Sequence, residues 1–90
     1  MWVNAQQVYS ISGRVTDENQ KPVNGATIFV DGSQIATATN ETGYFHVKVP
    51  GQGLYRLSAN MLGYAVNTKD VMLKTQSAVL DFATGTLMQV

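Results

Sequence analysis

Apolar and polar residues alternate along most of this chain. Within Val8–Thr16, Tyr9, Ile11, Gly13 and Val15 fall on one face and Ser10, Ser12 and Arg14 on the other, the period of a half-buried strand. The rhythm returns at Ala26–Val30, with Ala26, Ile28 and Val30 turned in and Thr27 and Phe29 turned out. It returns again where Phe45, Val47 and Val49 oppose Tyr44, His46 and Lys48, and where Tyr55, Leu57, Ala59 and Met61 oppose Arg56, Ser58 and Asn60. Ala65–Leu73 carries a weaker version with Val71 and Leu73 inside. Ala78–Phe82 is the last clear strand, with Leu80 and Phe82 inside. Ile35–Thr39 is short, small and β-branched, as an edge strand tends to be.

Turn residues punctuate these runs. Asp17–Lys21 is polar, and Pro22, with fixed φ and no N–H, belongs at a strand end or edge. Asn24-Gly25 is a turn dipeptide, Asp31-Gly32 closes a strand, and Asn40-Glu41-Thr42-Gly43 makes the next reversal. Gly25 and Gly43 are expected at positive φ, because each lies where a tight reversal is required. Pro50-Gly51-Gln52-Gly53 is the strongest breaker, Leu62-Gly63-Tyr64 bends the chain, and Lys74–Ser77 turns it again. Ala83–Val90 either extends the last strand past Gly85 or begins a linker.

No segment sustains an i, i+3, i+4, i+7 stripe, so no helix of consequence is expected. Seven short strands with turns about every ten residues predict an all-β, seven-stranded antiparallel sandwich. One sheet alone would leave an apolar face wet, and a closed barrel is the alternative. The expected core is Ile11, Val15, Ile28, Val30, Phe45, Val47, Leu57, Leu80 and Phe82.

Composition narrows the function classes. The 90 residues make one small domain, whose chain buries about 60–65% of its unfolded surface. Only 13% of them are charged, against the ~25% of an ordinary domain. Six Lys and Arg balance six Asp and Glu, which leaves no electrostatic footprint for a phosphate backbone or anionic lipid. Nucleic-acid binding is therefore not expected. The absence of cysteine removes thiolate catalysis, thiolate zinc sites and disulfide staples. No run of about 18 apolar residues exists to span a membrane.

Residues 1–6 stand apart from the domain, expected at residues 7–83. Val3 and Ala5 lie three and one residues before a possible cut at Gln6, the small-residue pattern of a signal-peptide end. A chain beginning inside a signal peptide fits this segment, and a cytoplasmic chain with an arbitrary start is the other reading. Met1–Gln6 is expected to pack against nothing.

Four stretches in order carry a resemblance. They are Ile11–Asp17 (ISGRVTD), Pro22–Val30 (PVNGATIFV), Thr37–Phe45 (TATNETGYF) and Leu62–Tyr64 (LGY). Together they resemble the carboxypeptidase regulatory-like domain, a transthyretin-like (prealbumin-like) seven-stranded Greek-key sandwich. Two positions depart from that pattern: Gln20 stands where the family usually has glycine, and Asn40 where it often has aspartate. The first change bears on the first turn, and the second should keep an Asx-type turn. The resemblance implies a non-catalytic accessory module of an exported protein. Such modules trail some metallocarboxypeptidases and also stand at the N-terminus of TonB-dependent outer-membrane receptors, just after the signal peptide. The placement of residues 1–6 favours the receptor form, on the periplasmic side of the outer membrane. The alternative is a carbohydrate- or protein-binding accessory domain of a secreted peptidase, glycosidase or adhesin.

Candidate chemistry is sparse. His46 is the single histidine, on an outward face, whereas zinc needs three or four ligands and a triad needs a tied acid and nucleophile. Asp17, Glu18, Asp31 and Glu41 lack the dense alternation of a calcium loop and read as turn caps. Phe29 and Tyr44 point outward and would be the residues of a sugar-stacking platform. Gly53–Ala59 resembles the strand that supplies the acid for Lys–Asn isopeptide formation in pilin and adhesin sandwiches, but neither Ala59 nor Asn60 offers a carboxylate. No catalytic, cofactor or metal residues are expected. The partner is expected to be a protein or the rest of the same chain, bound by a domain monomeric in isolation. The Ile35–Thr39 edge is the expected place for it.

Overall fold

The computed structural model describes residues 8–64 and 66–83. Eight strands follow in order: β1 (Tyr9–Thr16), β2 (Thr27–Val30), β3 (Ala36–Ala38), β4 (Tyr44–Val49), β5 (Gly53–Asn60), β6 (Asn67–Leu73), β7 (Ser77–Val79) and β8 (Phe82–Ala83). They form two sheets. One has the order β4-β1-β7 with β8 also on β1, and the other the order β3-β2-β5-β6. The expectations for Met1–Gln6 and for residues 84–90 lie outside the described residues.

The alternation read along the chain is the alternation the sandwich uses. Ile11, Val15, Ile28, Val30, Phe45, Val47, Leu57 and Phe82 are all buried between the sheets. Val23, Ala26, Val49, Ala59 and Leu73 complete the core, with Tyr9, Ile35, Tyr55, Met61, Val71, Ala78 and Leu80 packed around it. Phe45 and Phe82 meet at the centre, ring centroids 6.0 Å apart and tilted by 51°. Thr39 is the buried polar side chain among the described residues. Its hydroxyl donates to the Val23 carbonyl (2.6 Å) and accepts from the Ala26 N–H (2.9 Å), which stitches the turn before β2 to the end of β3.

Three expectations need correction, all at the C-terminal side. The strand count is eight, because Ala78–Phe82 is not one strand: it breaks at Leu80–Asp81 into β7 and β8. The first sheet is mixed, since β7 and β8 both run parallel to β1. Leu80 is only partly buried at the edge of the core. One local cause links these points. Ser12 faces Val79 and Val15 faces Phe82, so the register is the same on both sides of the break. Between them the Arg14 N–H donates to the Asp81 carboxylate at 3.0 Å. The Leu80 carbonyl is pressed instead against the Cα of Gly13, where a Cβ would lie 1.9 Å from the oxygen. Smaller shifts occur elsewhere: Ser77 belongs to a strand, β3 is shorter than Ile35–Thr39, and β6 starts at Asn67.

The turns keep their predicted chemistry. The Asn40 side-chain oxygen accepts from the N–H groups of Thr42 (2.9 Å) and Tyr44 (3.0 Å) and from the Thr42 hydroxyl (2.8 Å), an Asx-type turn. Asp17 does the same for Asn19 and Lys21. This loop holds Gln20 at φ 62°, the left-handed region usually left to glycine. The first turn therefore keeps a glycine-like conformation although the glycine is gone.

Gly25 and Gly43 both sit at positive φ, 84° and 76°. Their surroundings differ, and so should their mutants. A Cβ on Gly25 meets nothing within 4 Å, whereas one on Gly43 comes within 2.5 Å of the Val15 carbonyl oxygen. Gly25→Ala should cost about 1 kcal/mol, the conformational penalty alone. Gly43→Ala should cost measurably more, because the obstructing atom is backbone. Urea midpoints of the two variants check the ranking. Equal midpoints would mean that the Gly43 turn yields freely.

The rim between β6 and β8 is closed by side chains. The Lys69 ammonium donates to the Asp81 carbonyl (2.7 Å) and lies 5.8 Å from the Phe82 ring centroid, while the Asn67 amide donates to the Ala83 carbonyl (3.0 Å). Lys69 thus points its charge in from an edge strand, a device that discourages edge-to-edge pairing.

Candidate functional site

The two outer faces of the sandwich carry different chemistry. On the second sheet the register places Arg56 beside Asp70, Ser58 between Phe29 and Thr68, and Leu54 beside Met72. Arg56 donates to Asp70 through one edge of its guanidinium, Nε to Oδ1 at 2.8 Å and Nη2 to Oδ2 at 3.3 Å. This hydrogen bond, with the attraction between the charges, raises Arg56 above its ordinary pKa, and the same hydrogen bond holds Asp70 below the usual carboxylate range. Both groups are solvent-exposed, so the pair orders the surface more than it stabilises the fold. The Ser58 hydroxyl donates to Asp31 (2.9 Å) and lies 3.2 Å from the Thr68 hydroxyl. Asp31, Gly32, Leu54, Arg56 and Asp70 line a shallow open depression of about 350 Å³. It holds one satisfied ion pair and no nucleophile with a base beside it.

The outer face of the first sheet is cationic. Tyr44 faces Arg14, His46 faces Ser12 and Lys48 faces Ser10 across the β4–β1 ladder, with Val79 beyond Ser12. Asp81 is the neighbouring carboxylate, taken up by the Arg14 N–H.

The edges decide which backbone groups stay open. In the β3–β2 ladder the Val30 N–H donates to the Ile35 carbonyl and the Thr39 N–H to the Ala26 carbonyl. Strand period then turns the peptide groups of Ala36 and Ala38 away from β2. The expected edge is therefore a real one, but only three residues long. In the β1–β4 ladder the Val15 N–H donates to the Gly43 carbonyl at 2.8 Å, and the Ser10 N–H and Ser12 carbonyl are spent on the β7 side. The same period turns the peptide groups of His46 and Lys48 away from β1.

The other sequence candidates are not brought together. Phe29 and Tyr44 are both exposed, but on different sheets and opposite faces, so they form no common platform. Asp17 caps its own loop and Asp31 accepts from Ser58, while Glu18 and Glu41 are exposed. Among the described residues no set of three or more His, Cys, Asp or Glu side chains could hold a metal ion. No helix among them is long and apolar enough to cross a membrane. The Arg56–Asp70 pair and the open β4 edge were missed by reading the chain. Outward Arg and Asp on adjacent strands were the available signal, but the register that joins them depends on the length of the intervening loop.

Comparisons with known proteins agree with this architecture. The chain is similar to a chain of a type II Cohesin-X-Dockerin complex from Acetivibrio cellulolyticus, with a TM-score of 0.70 and 18% identity, over 84% of this chain and 53% of that one. It is also similar to a streptococcal ancillary pilin (TM-score 0.64, 16% identity, 86% of this chain and 32% of that one). At these identities the likeness is one of fold. In sequence it is 30% identical over 76 residues to Structural protein 27 of a virus (isolate Australia/Victoria). That match covers 84% of this chain but only 14% of the relative's length. Residues 11–87 match the CarboxypepD_reg-like domain as a family, and the chain belongs to it.

Proposed function

We propose that this domain is a non-catalytic, extracytoplasmic interaction module, the N-terminal periplasmic domain of a TonB-dependent outer-membrane receptor for nutrient uptake. The observation that carries the reading is membership of the regulatory-like family over residues 11–87, on a sandwich whose surface polar groups cap turns and pair across strands. The signal-peptide pattern at Val3 and Ala5, shortly before β1, supports export. The work of such a module is to dock a protein through a sheet edge or its end loops, and the β3 edge is open for this. A sugar-binding role is disfavoured by the separation of Phe29 and Tyr44 on opposite faces.

Two measurements test the reading. The residues encoded after Val90 should be a plug and a long run of amphipathic barrel strands, and a catalytic domain there would overturn the receptor assignment. The isolated 90-residue chain should run as a monomer, hydrolyse nothing and give no saturable heat with an array of simple sugars. Specific micromolar carbohydrate binding, lost in Phe29→Ala or Tyr44→Ala, would replace this reading with an accessory carbohydrate-binding one.

A further inference from the structure

We propose that the free edge of β4 is a strand-acceptor site for an acidic, extended segment of a partner protein. The inference rests on the interaction-module reading and adds where the partner docks and what chemistry it carries. β4 spans six residues, contains no proline and keeps strict alternation of exposed and buried positions. It is hydrogen-bonded to β1 on one side only. The peptide groups of Tyr44 are closed by Asn40, whose N–H donates to the Tyr44 carbonyl (3.0 Å) and whose side chain accepts from the Tyr44 N–H. Pro50, after the strand, has no N–H. The acceptor run is therefore His46 to Lys48, with two N–H and two C=O groups directed outward. Among the described residues none of these has a backbone partner outside the strand ladders.

The side chains flanking that run specify the guest. On the inner side lie Val47 and Val49, buried and apolar. On the outer side lie His46 and Lys48, with Arg14 one strand further in. An added strand would alternate in step, with carboxylates beside His46 and Lys48 and apolar residues toward Val47. A second copy of this chain is a poor guest, because pairing two β4 edges would bring His46 and Lys48 against their own kind. The other edges are less suited. β3 and β7 have three residues each, and β6 aims the Lys69 charge inward.

The test uses the 90-residue chain labelled with 15N and two capped hexapeptides, Thr-Glu-Val-Glu-Val-Thr and its counterpart with lysine for glutamate. The acidic peptide should shift amide resonances within Phe45–Val49 saturably and bind about fivefold more tightly than the basic one, as a cross-strand ion pair with Lys48 in place of a like-charge contact allows. Lys48→Glu, an exposed change that should leave the fold intact, should invert the preference. Methylating one alternate set of peptide backbone nitrogens should abolish binding while methylating the other set leaves it, which separates strand addition from plain charge attraction. Equal binding of the two charge forms, indifference to both methylation patterns, or no shift at millimolar peptide would each overturn the proposal. Shifts at Ala36–Ala38 instead would overturn it and leave the interaction-module reading standing. A catalytic domain after Val90 would overturn the receptor assignment and leave the β4 result untouched.

Discussion

Gly13→Ala is expected to be among the most damaging single substitutions in this domain, although it adds one methyl group. The added Cβ would lie 1.9 Å from the Leu80 carbonyl oxygen and 2.6 Å from its carbon, separations that real Cβ atoms do not show. The obstruction is backbone and cannot rotate away. Relief requires the segment from Val79 to Phe82 to lift from β1. That would strip the Leu80 N–H to Ser12 bond (2.7 Å) and the Arg14 N–H to Asp81 bond (3.0 Å), and loosen the buried Phe82. Overpacking in a well-packed core costs roughly 1–3 kcal/mol and sometimes more, and the upper end applies here. Denaturant unfolding should show a lowered midpoint, with hydrogen exchange fastest in β7 and β8. A Gly13→Ala variant as stable as the parent would mean that the Leu80 carbonyl does not lie against Gly13 as described.

Phe45→Ala should cost ~3–5 kcal/mol, the usual range for removing a buried phenylalanine. Phe45 is fully buried on β4 and packs against Phe82 of β8, so its loss opens a cavity where β4 and β8 share the core. Small domains have only about 5–15 kcal/mol of stability in all, so this change could consume most of it. For a chain of this size the melting temperature should fall by roughly 12 °C or more. An unchanged melting temperature would mean that β4 presents its other face to the core, with Tyr44, His46 and Lys48 inside.

The fold was legible wherever a strand has one wet and one dry face. β4 alternates cleanly and buries every residue its alternation names, while β1 and β5 bury theirs except Tyr9 and Tyr55, which are half-buried at the rim. The asparagine and glycine turns were legible because local side chains and φ preferences decide them without help from the rest of the molecule. The C-terminal strands were not legible. Alternation is the same for parallel and antiparallel neighbours, so nothing in Ser77–Ala83 announces its direction relative to β1. Nor does Leu80-Asp81 look like a break, because its cause is the carboxylate of Asp81 reaching a backbone N–H 67 residues earlier. Edges show the same boundary. The sequence says which way the Ile35–Thr39 and Tyr44–Val49 side chains point, but not which flank of each strand finds a neighbour. For that reason the short β3 edge stood out in the sequence and the longer β4 edge did not.

The parallel pairing of β1 with β7 and β8 also governs how the domain carries load. β1 begins at Tyr9 beside the β4–β5 turn, and the described chain ends at Ala83 beside Thr16, at the far end of β1. Tyr9 and Ala83 therefore lie at opposite poles of the domain. Tension applied between them pulls β1 one way and β7–β8 the other, along the strand axes and across their hydrogen bonds. The bonds at Ser10, Ser12 and Arg14 are then strained together in shear and cannot be unzipped one at a time. The Leu80 carbonyl lodged against Gly13 adds a steric catch to that sliding motion. A domain wired in this way transmits a pull along its length before it yields, and its weakest direction is sideways, at the open β3 and β4 flank.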